Sequence, residues 1–247
     1  MFPLKDNIPT TRFPIVTVAL IVINTLVYFV LQRGGILSAP PDSGVIDYGW
    51  IPYEISHSGQ QCVAQGQNIA CGDISGQPSL LVTAFTSMFM HGSIVHLGGN
   101  MLFLWIFGNN VEDSMGRIKF IIFYLLGGLA ALALQTVVDP NSAVPTIGAS
   151  GAIAAVLGGY ILLYPRARVL TAVIIILFFT LIEIPAMWFL VIWFGEQLLL
   201  GALGLTTPGN SGGGVAYFAH IGGFAFGLLA IRAFAHRRND TYAATTA

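Results

Sequence analysis

Residues 118–138 read IKFIIFYLLGGLAALALQTVV, twenty-one residues whose one charge, Lys119, stands at the edge. A helix that crosses a bilayer needs about 20 mostly apolar residues. This stretch meets that requirement, and it is not alone. Comparable stretches cover 14–32, 94–111, 149–164, 185–203 and 217–235. The composition agrees: of 247 residues 55% are apolar and 9% charged, with a mean hydropathy of +0.77. Soluble domains carry about a quarter charged residues. Ten basic against eleven acidic side chains leave a net charge of −1. Disorder, a collagen-like chain and a nucleic-acid binder with a basic surface are excluded on these grounds. The expected fold is all-α, a polytopic membrane bundle of six transmembrane helices.

The interval 169–203 is too long for one straight span and has no polar turn in its middle. Pro185 lacks an amide donor and disfavours helix at Ile184, so it marks the break. Residues 169–184 then read as an apolar segment lying against the bundle, and 185–203 as the fifth span. A further span within 169–184 is the competing reading. The basic residues weigh against it. With six spans, Lys5, Arg12, Arg117, Lys119, Arg166, Arg168, Arg232, Arg237 and Arg238 fall on one side and only Arg33 on the other. The positive-inside rule makes that side the cytoplasm. A seventh span would put the Arg232–Arg238 cluster outside. The stretch 14–32 reads as a retained span, because no clear A-x-A cleavage site follows it.

This gives a cytoplasmic N-terminus over 1–13, a membrane domain over 14–235 with an external loop at 33–80, and a cytoplasmic tail over 236–247. The external loop holds both cysteines. Cys62 and Cys71 either form a local disulfide, as an oxidising compartment favours, or remain two thiols.

Strongly polar side chains inside spans are costly and are functional candidates by default. Here they are His96 and Asn100 in the second span, Ser150 opening the fourth, Glu196 and Gln197 in the fifth, and His220 in the sixth. Spans two, four and six all run inward. His96, Asn100, Ser150 and His220 lie near their starts, so four polar residues from three helices share one level in the outer half of the bilayer. Serine needs a neighbouring base to become a nucleophile, and histidine is the usual base. An acyl transfer also needs donors for the developing oxyanion. His96 and Asn100, at i and i+4, share a helix face. The Ser150 amide, in a first helical turn, is unpaired within its own helix and sits at a positive dipole end.

Gly148-Ala149-Ser150-Gly151 is a G-x-S-G, weak alone, and a second match occurs at Gly209-Asn210-Ser211-Gly212. The second reads as an external linker. The first leads directly into an apolar helix rich in small residues. Gly223 and Gly227 form a G-x-x-x-G four residues apart, the pattern that lets membrane helices approach closely. Gly148, Gly151, Gly223 and Gly227 are therefore expected at helix contacts, with Ser150 and His220 at the top of that contact. His91 reads as structural, and Trp188 and Trp193 as packing or interface anchors. Glu196 and Gln197 either line a wet cavity or stabilise the fifth span.

Thr86–Asn110 with its histidines and Asn100, the Gly148–Gly151 motif and AHIGGFAFG at 219–227 together resemble the rhomboid intramembrane serine proteases. The likeness extends in order and spacing over about 14–235. The resemblance implies Ser150 as nucleophile, His220 as general base in a dyad without aspartate, and His96 and Asn100 as oxyanion-hole donors beside Ser150. It implies cleavage of membrane-anchored substrates at or near the external end of their transmembrane helix. It also implies a structural role for Glu112. Two positions depart from the family's pattern. Val82-Thr83 stands where many members have Trp-Arg, and Ala154 where a tyrosine often stacks on the catalytic histidine.

The function expected is therefore an intramembrane serine endopeptidase. Its partners are single-pass membrane protein substrates and the lipid bilayer, with no cofactor, metal or nucleic acid. Its place is the cell membrane with both termini cytoplasmic. The alternative is a catalytically inactive rhomboid-like protein that binds transmembrane segments. A metal-dependent protein or transporter using His91, His96 and His220 is disfavoured. No carboxylate lies at their depth, and His91 and His96, five apart, form a poor helical chelate.

Overall fold

The six apolar stretches each contain a helix in the computed structural model, which describes residues 2–66, 68–175, 178–206 and 215–235. The first is α1 (Ile15–Leu26), continued by a π turn over Val27–Leu31. The second is α5 (Ile94–Phe103), continued by a π turn over Leu104–Gly108 into α6 (Asn109–Met115). Then follow α7 (Arg117–Val138), α8 (Ser150–Leu163), α9 (Ala186–Thr206) and α10 (Tyr217–Phe234). Among the described residues α7, α9 and α10 are long and apolar enough to cross a membrane. A fourth span results if Leu80–Phe89, which begins with α4 (Leu80–Thr86), and Ile94–Met115, bent by 81°, count as one. The Ile15–Leu31 and Ser150–Leu163 helices are apolar but shorter. Trp105, Leu126, Trp188, Val191, Leu199 and Leu229 are exposed on the outside of the helices. That surface would be costly in water and suits acyl chains.

α8 is the hub. From Gly151 to Tyr160 every residue is buried, as expected for a helix apolar on all sides. It packs against both α7 and α10. A Cβ on Gly223 would collide with the Gly151 carbonyl, and one on Gly227 with the Ala155 carbonyl. Glycine at these two positions lets the α8 and α10 backbones touch. Gly151 in turn faces the Ala131 methyl of α7. Three helices are thereby brought close around the residues that open α8.

Glu112 holds α1 against α6. Its buried carboxylate accepts from the Val16 and Thr17 amides at 3.0 and 2.8 Å and from the Thr17 hydroxyl at 2.8 Å. The first helical amides lack partners in their own helix, so a carboxylate from a neighbouring helix caps them.

The all-helical expectation needs correction in two places. Within 169–184, read as an apolar segment against the bundle with a further span as the alternative, the described residues are strands rather than a helix. They form a hairpin of β4 (Arg168–Ile175) and β5 (Phe178–Pro185), and β1 (Phe2–Asp6) pairs antiparallel with β4 to complete a sheet of order β1-β4-β5. In its register Phe2 faces Ala172 and Asp6 faces Val169. Val, Ile, Thr and Phe dominate these strands and favour extended backbone. Asp6 docks the sheet on the bundle by accepting from the Tyr160 hydroxyl and the Asn110 amide. Burial raises its pKa from 3.8 to about 6, against the opposing pull of those two bonds.

The second place is the 33–80 loop, which contains α2 (Asp42–Tyr48), α3 (Pro52–Ser56) and a hairpin of β2 (Gln61–Gln65) and β3 (Asn68–Gly72). Cys62 and Cys71 face each other in that hairpin and are joined by a disulfide. Glu54 accepts from the Cys62 amide at 2.8 Å, and burial pushes its pKa up. Trp50 ties the loop to the end of α7 through its indole N–H on the Thr136 hydroxyl at 2.9 Å. The second G-x-S-G at 209–212 and the 236–247 tail lie outside the described residues.

Candidate active site

α8 begins at Ser150 because Gly148 turns the chain there. Its φ of +124° is a conformation that residues with a Cβ rarely adopt. A Cβ would also lie 2.8 Å from His96 Nε2. This differs from the expectation that Gly148 serves a helix contact: it makes room for an imidazole. The Gly148 amide is fixed by the Ser87 carbonyl at 2.9 Å.

α5 is started by Ser93, whose hydroxyl accepts from the His96 amide at 3.1 Å. This N-cap puts His96 in the first turn and Asn100 one turn later on the same face. The Gly92 amide donates to His96 Nδ1 at 3.4 Å, so the ring's proton sits on Nε2, the nitrogen that faces Gly148. The Asn100 amide nitrogen is buried and has no hydrogen-bond partner. Such a donor is costly to leave unmet.

α10 begins after Ala216, and the Gln135 side chain of α7 accepts from the Ala219 amide at 3.2 Å. His220 follows in the first turn. Its Nε2 lies 2.8 Å from Ser150 Oγ, bridging two helices whose backbones touch one turn further down. Its Nδ1 lies 2.7 Å from Gln197 Oε1 on α9. The Trp193 ring, one turn before Gln197, is tilted over the imidazole with centroids 5.9 Å apart.

These residues open into one cavity of about 740 Å³, lined by Ser150, His220, His96, Asn100 and Trp193, with Met88, Gly128 and Ala131 on its wall. Among its lining residues there is no carboxylate and no lysine or arginine. The Cys62–Cys71 hairpin does not line it. His91 is buried next to His96 with ring centroids 5.1 Å apart. Its backbone is clamped by Gln32, which accepts from the amide at 2.9 Å and donates to the carbonyl at 3.2 Å.

The structure thus brings Ser150, His220, His96 and Asn100 to one wet-sized space. It adds two residues that the sequence reading does not place at the site. Gln197 was visible as a polar group inside a span, but its partner depends on how α9 meets α10. Trp193 looked like any aromatic of the fifth span. A hydroxyl hydrogen-bonded to an imidazole, next to a buried donor without an acceptor, is an arrangement suited to acyl transfer.

Comparison with known proteins places the chain in a class. The rhomboid domain matches residues 78–237, more than half of the chain. The chain belongs to the rhomboid family. It is 30% identical over 153 residues to Rhomboid protein 1, mitochondrial, of Saccharomyces cerevisiae, covering 60% of this chain and 40% of that protein. It is 30% identical over 166 residues to RHOMBOID-like protein 12, mitochondrial, of Arabidopsis thaliana, covering 61% and 45%. It is 29% identical over 146 residues to Presenilin-associated rhomboid-like protein, mitochondrial, of Bos taurus, covering 58% and 35%. The matches span less than half the length of these curated relatives.

Proposed function

We propose that this rhomboid-family protein is an intramembrane serine endopeptidase that cleaves single-pass membrane proteins in or near their transmembrane segment. The observation that carries the reading is the 2.8 Å contact between Ser150 Oγ and His220 Nε2 inside the cavity. In the reaction His220 Nε2 takes the Ser150 proton as Oγ attacks the scissile carbonyl. The oxyanion is met by the free Asn100 Nδ2–H, by His96 Nε2–H and by the Ser150 amide at the start of α8. The imidazolium gives its proton to the leaving amine. A water then returns the acyl group as a carboxylate and restores the hydroxyl.

The bilayer placement follows from helix length. The 14 residues of α8 rise about 21 Å, against about 30 Å of hydrocarbon. With the Leu163 end of α8 at the inner boundary, just before Arg166 and Arg168, Ser150 would lie about 9 Å beneath the outer one. A substrate helix has its amides already paired in lipid, so it must unwind to present a peptide bond there. Small or helix-breaking residues near the cut are expected. Six spans, with α1, α5–α6, α7, α8, α9 and α10 as the six, and both termini on the cytoplasmic side, are the arrangement that the distribution of basic residues favours.

A fluorophosphonate probe tests the reading. It should label the wild-type protein in micelles and neither Ser150→Ala nor His220→Ala, and the same two variants should abolish cleavage of a single-pass substrate mapped by mass. Labelling that survives Ser150→Ala would move the nucleophile elsewhere. A folded wild-type protein that neither labels nor cleaves would instead be an inactive binder of transmembrane segments.

A further inference from the structure

We propose that Gln197 is the positioning residue of the site, the third member of a Ser150–His220–Gln197 relay that holds His220 in its basic tautomer. The inference rests on the reading of Ser150 and His220 as nucleophile and base.

A neutral imidazole carries one proton, on Nδ1 or on Nε2. Only with the proton on Nδ1 does Nε2 offer a lone pair to the Ser150 hydroxyl. The choice is made by what faces Nδ1, and that is Gln197 at 2.7 Å. An amide side chain has an oxygen and a nitrogen, and its orientation follows from its other contacts. The Gln197 nitrogen faces the Trp193 carbonyl, one turn back on α9, at 3.4 Å. A flipped amide would set two oxygens against each other there. It would also donate to Nδ1, which would move the ring proton to Nε2 and leave the serine without a base. The Trp193 carbonyl therefore fixes Oε1 toward His220, and Oε1 fixes the tautomer.

Gln197 is buried, with 6% of its surface exposed, so water does not compete for either contact. Among the described residues the titratable group facing His220 from another helix is His96 across the cavity, and Tyr217 precedes it by one turn on α10. Glu196 is exposed on α9. A neutral amide suits this depth, since a lone carboxylate buried in the same place would be costly. The cost is that the imidazolium formed during attack is stabilised by a dipole rather than by a full charge.

The test compares Gln197→Leu, which keeps the volume and removes the acceptor, with Gln197→Glu, which keeps an acceptor and adds charge. Gln197→Leu should lower kcat by about 10- to 100-fold with KM little changed, the loss of one hydrogen bond to a group that becomes charged. Gln197→Glu should recover most of kcat at high pH, and the acid limb of its kcat/KM profile should move upward by about one unit or more, because an adjacent carboxylate favours the imidazolium. Wild-type kcat in Gln197→Leu would overturn the proposal. So would equal losses in both variants with an unmoved acid limb. A second readout needs no variant at Gln197: histidine ¹⁵N spectra of the wild-type chain, with the His220 signal identified by its loss in His220→Ala. The Nδ1–H tautomer supports the proposal and the Nε2–H tautomer overturns it. Cleavage that survives Ser150→Ala would sink the underlying dyad instead, and so the two failures are distinguishable.

Discussion

Replacing Asn100 by leucine should make this protein more stable and less active at once. Leucine is nearly isosteric with asparagine, so packing around the site changes little. The Asn100 amide nitrogen is buried without an acceptor. An unmet buried donor costs about 1–3 kcal/mol, and its removal returns that amount. Against this, the loss of one oxyanion donor costs about 10²- to 10³-fold in kcat, or about 2.7–4 kcal/mol of transition-state stabilisation. Two other donors remain in the proposed hole, so the lower end of that range applies. Thermal unfolding in micelles should show a higher midpoint for Asn100→Leu than for the wild type. Cleavage of a single-pass reporter should fall about 100-fold in kcat, with KM close to unchanged. A variant that is less stable and fully active would refute the reasoning: Asn100 would then be a packing residue whose nitrogen finds a partner. A variant with both stability and activity reduced would mean that its side chain holds α5 in place.

Three further outcomes follow from single contacts. Gly148→Ala forces a Cβ against His96 Nε2 and strains a φ of +124°, so it should abolish probe labelling while the far hairpin disulfide stays intact by mass. Glu112→Ala leaves the Val16 and Thr17 amides without their acceptor, and should lower the unfolding free energy by about 3 kcal/mol. Asp6 has its pKa raised from 3.8 to about 6 on folding, so its neutral form is the one the fold favours. Its contribution is fully present below about pH 4 and is lost as pH climbs through 6, by up to about 3 kcal/mol. Asp6→Asn should therefore gain in melting temperature over the wild type at pH 8 and show no gain at pH 4.

How much of this was legible in the sequence depends on the range of the information. That each apolar stretch holds a helix could be read because a long apolar run carries its own instruction, although among the described residues α7, α9 and α10, with α4–α6 if counted as one, have the length to cross a membrane. The meeting of Ser150, His220, His96 and Asn100 in one cavity was foreshadowed because each lies near the start of its own helix. The sheet could not. Val169–Ile184 has neither the alternation of a half-buried strand nor the period of a helix, and beyond its local β4–β5 pairing the sheet is completed by Phe2–Asp6, more than 160 residues earlier. A hairpin without alternation, completed by so remote a strand, looks like any apolar run. Gln197 was likewise visible only as an anomaly. Whether its oxygen meets His220 is set by the register of α9 against α10, and no local pattern encodes that register. Gly148 belonged to a glycine-rich motif in the sequence. The reason for it, the ring of His96, comes from a different helix.

Ala154 shows how one packing decision forces another. A tyrosine at this position would lie one turn below Ser150, within reach of the histidine ring. In this chain the Ala154 methyl lies 3.3 Å from where a Cβ on Gly223 would stand, and Ala154 is fully buried. The backbone contact between α8 and α10 that brings Ser150 to His220 thus occupies the space a larger side chain would need. The ring contact then has to come from outside the α8–α10 pair, and α9 supplies it through Trp193. Restoring the aromatic by Ala154→Tyr should therefore fail. Overpacking a tight core costs about 1–3 kcal/mol, and relief is available only by moving α10 away from α8. That movement breaks the 2.8 Å contact between His220 and Ser150. The variant should fold with a lower melting temperature and lose fluorophosphonate labelling. The paired change Ala154→Tyr with Trp193→Ala should not recover it, because the obstruction lies on the α10 side. Recovery of labelling in that double variant would show that the two aromatics compete for one space, and the helix contact would not be what excludes the tyrosine.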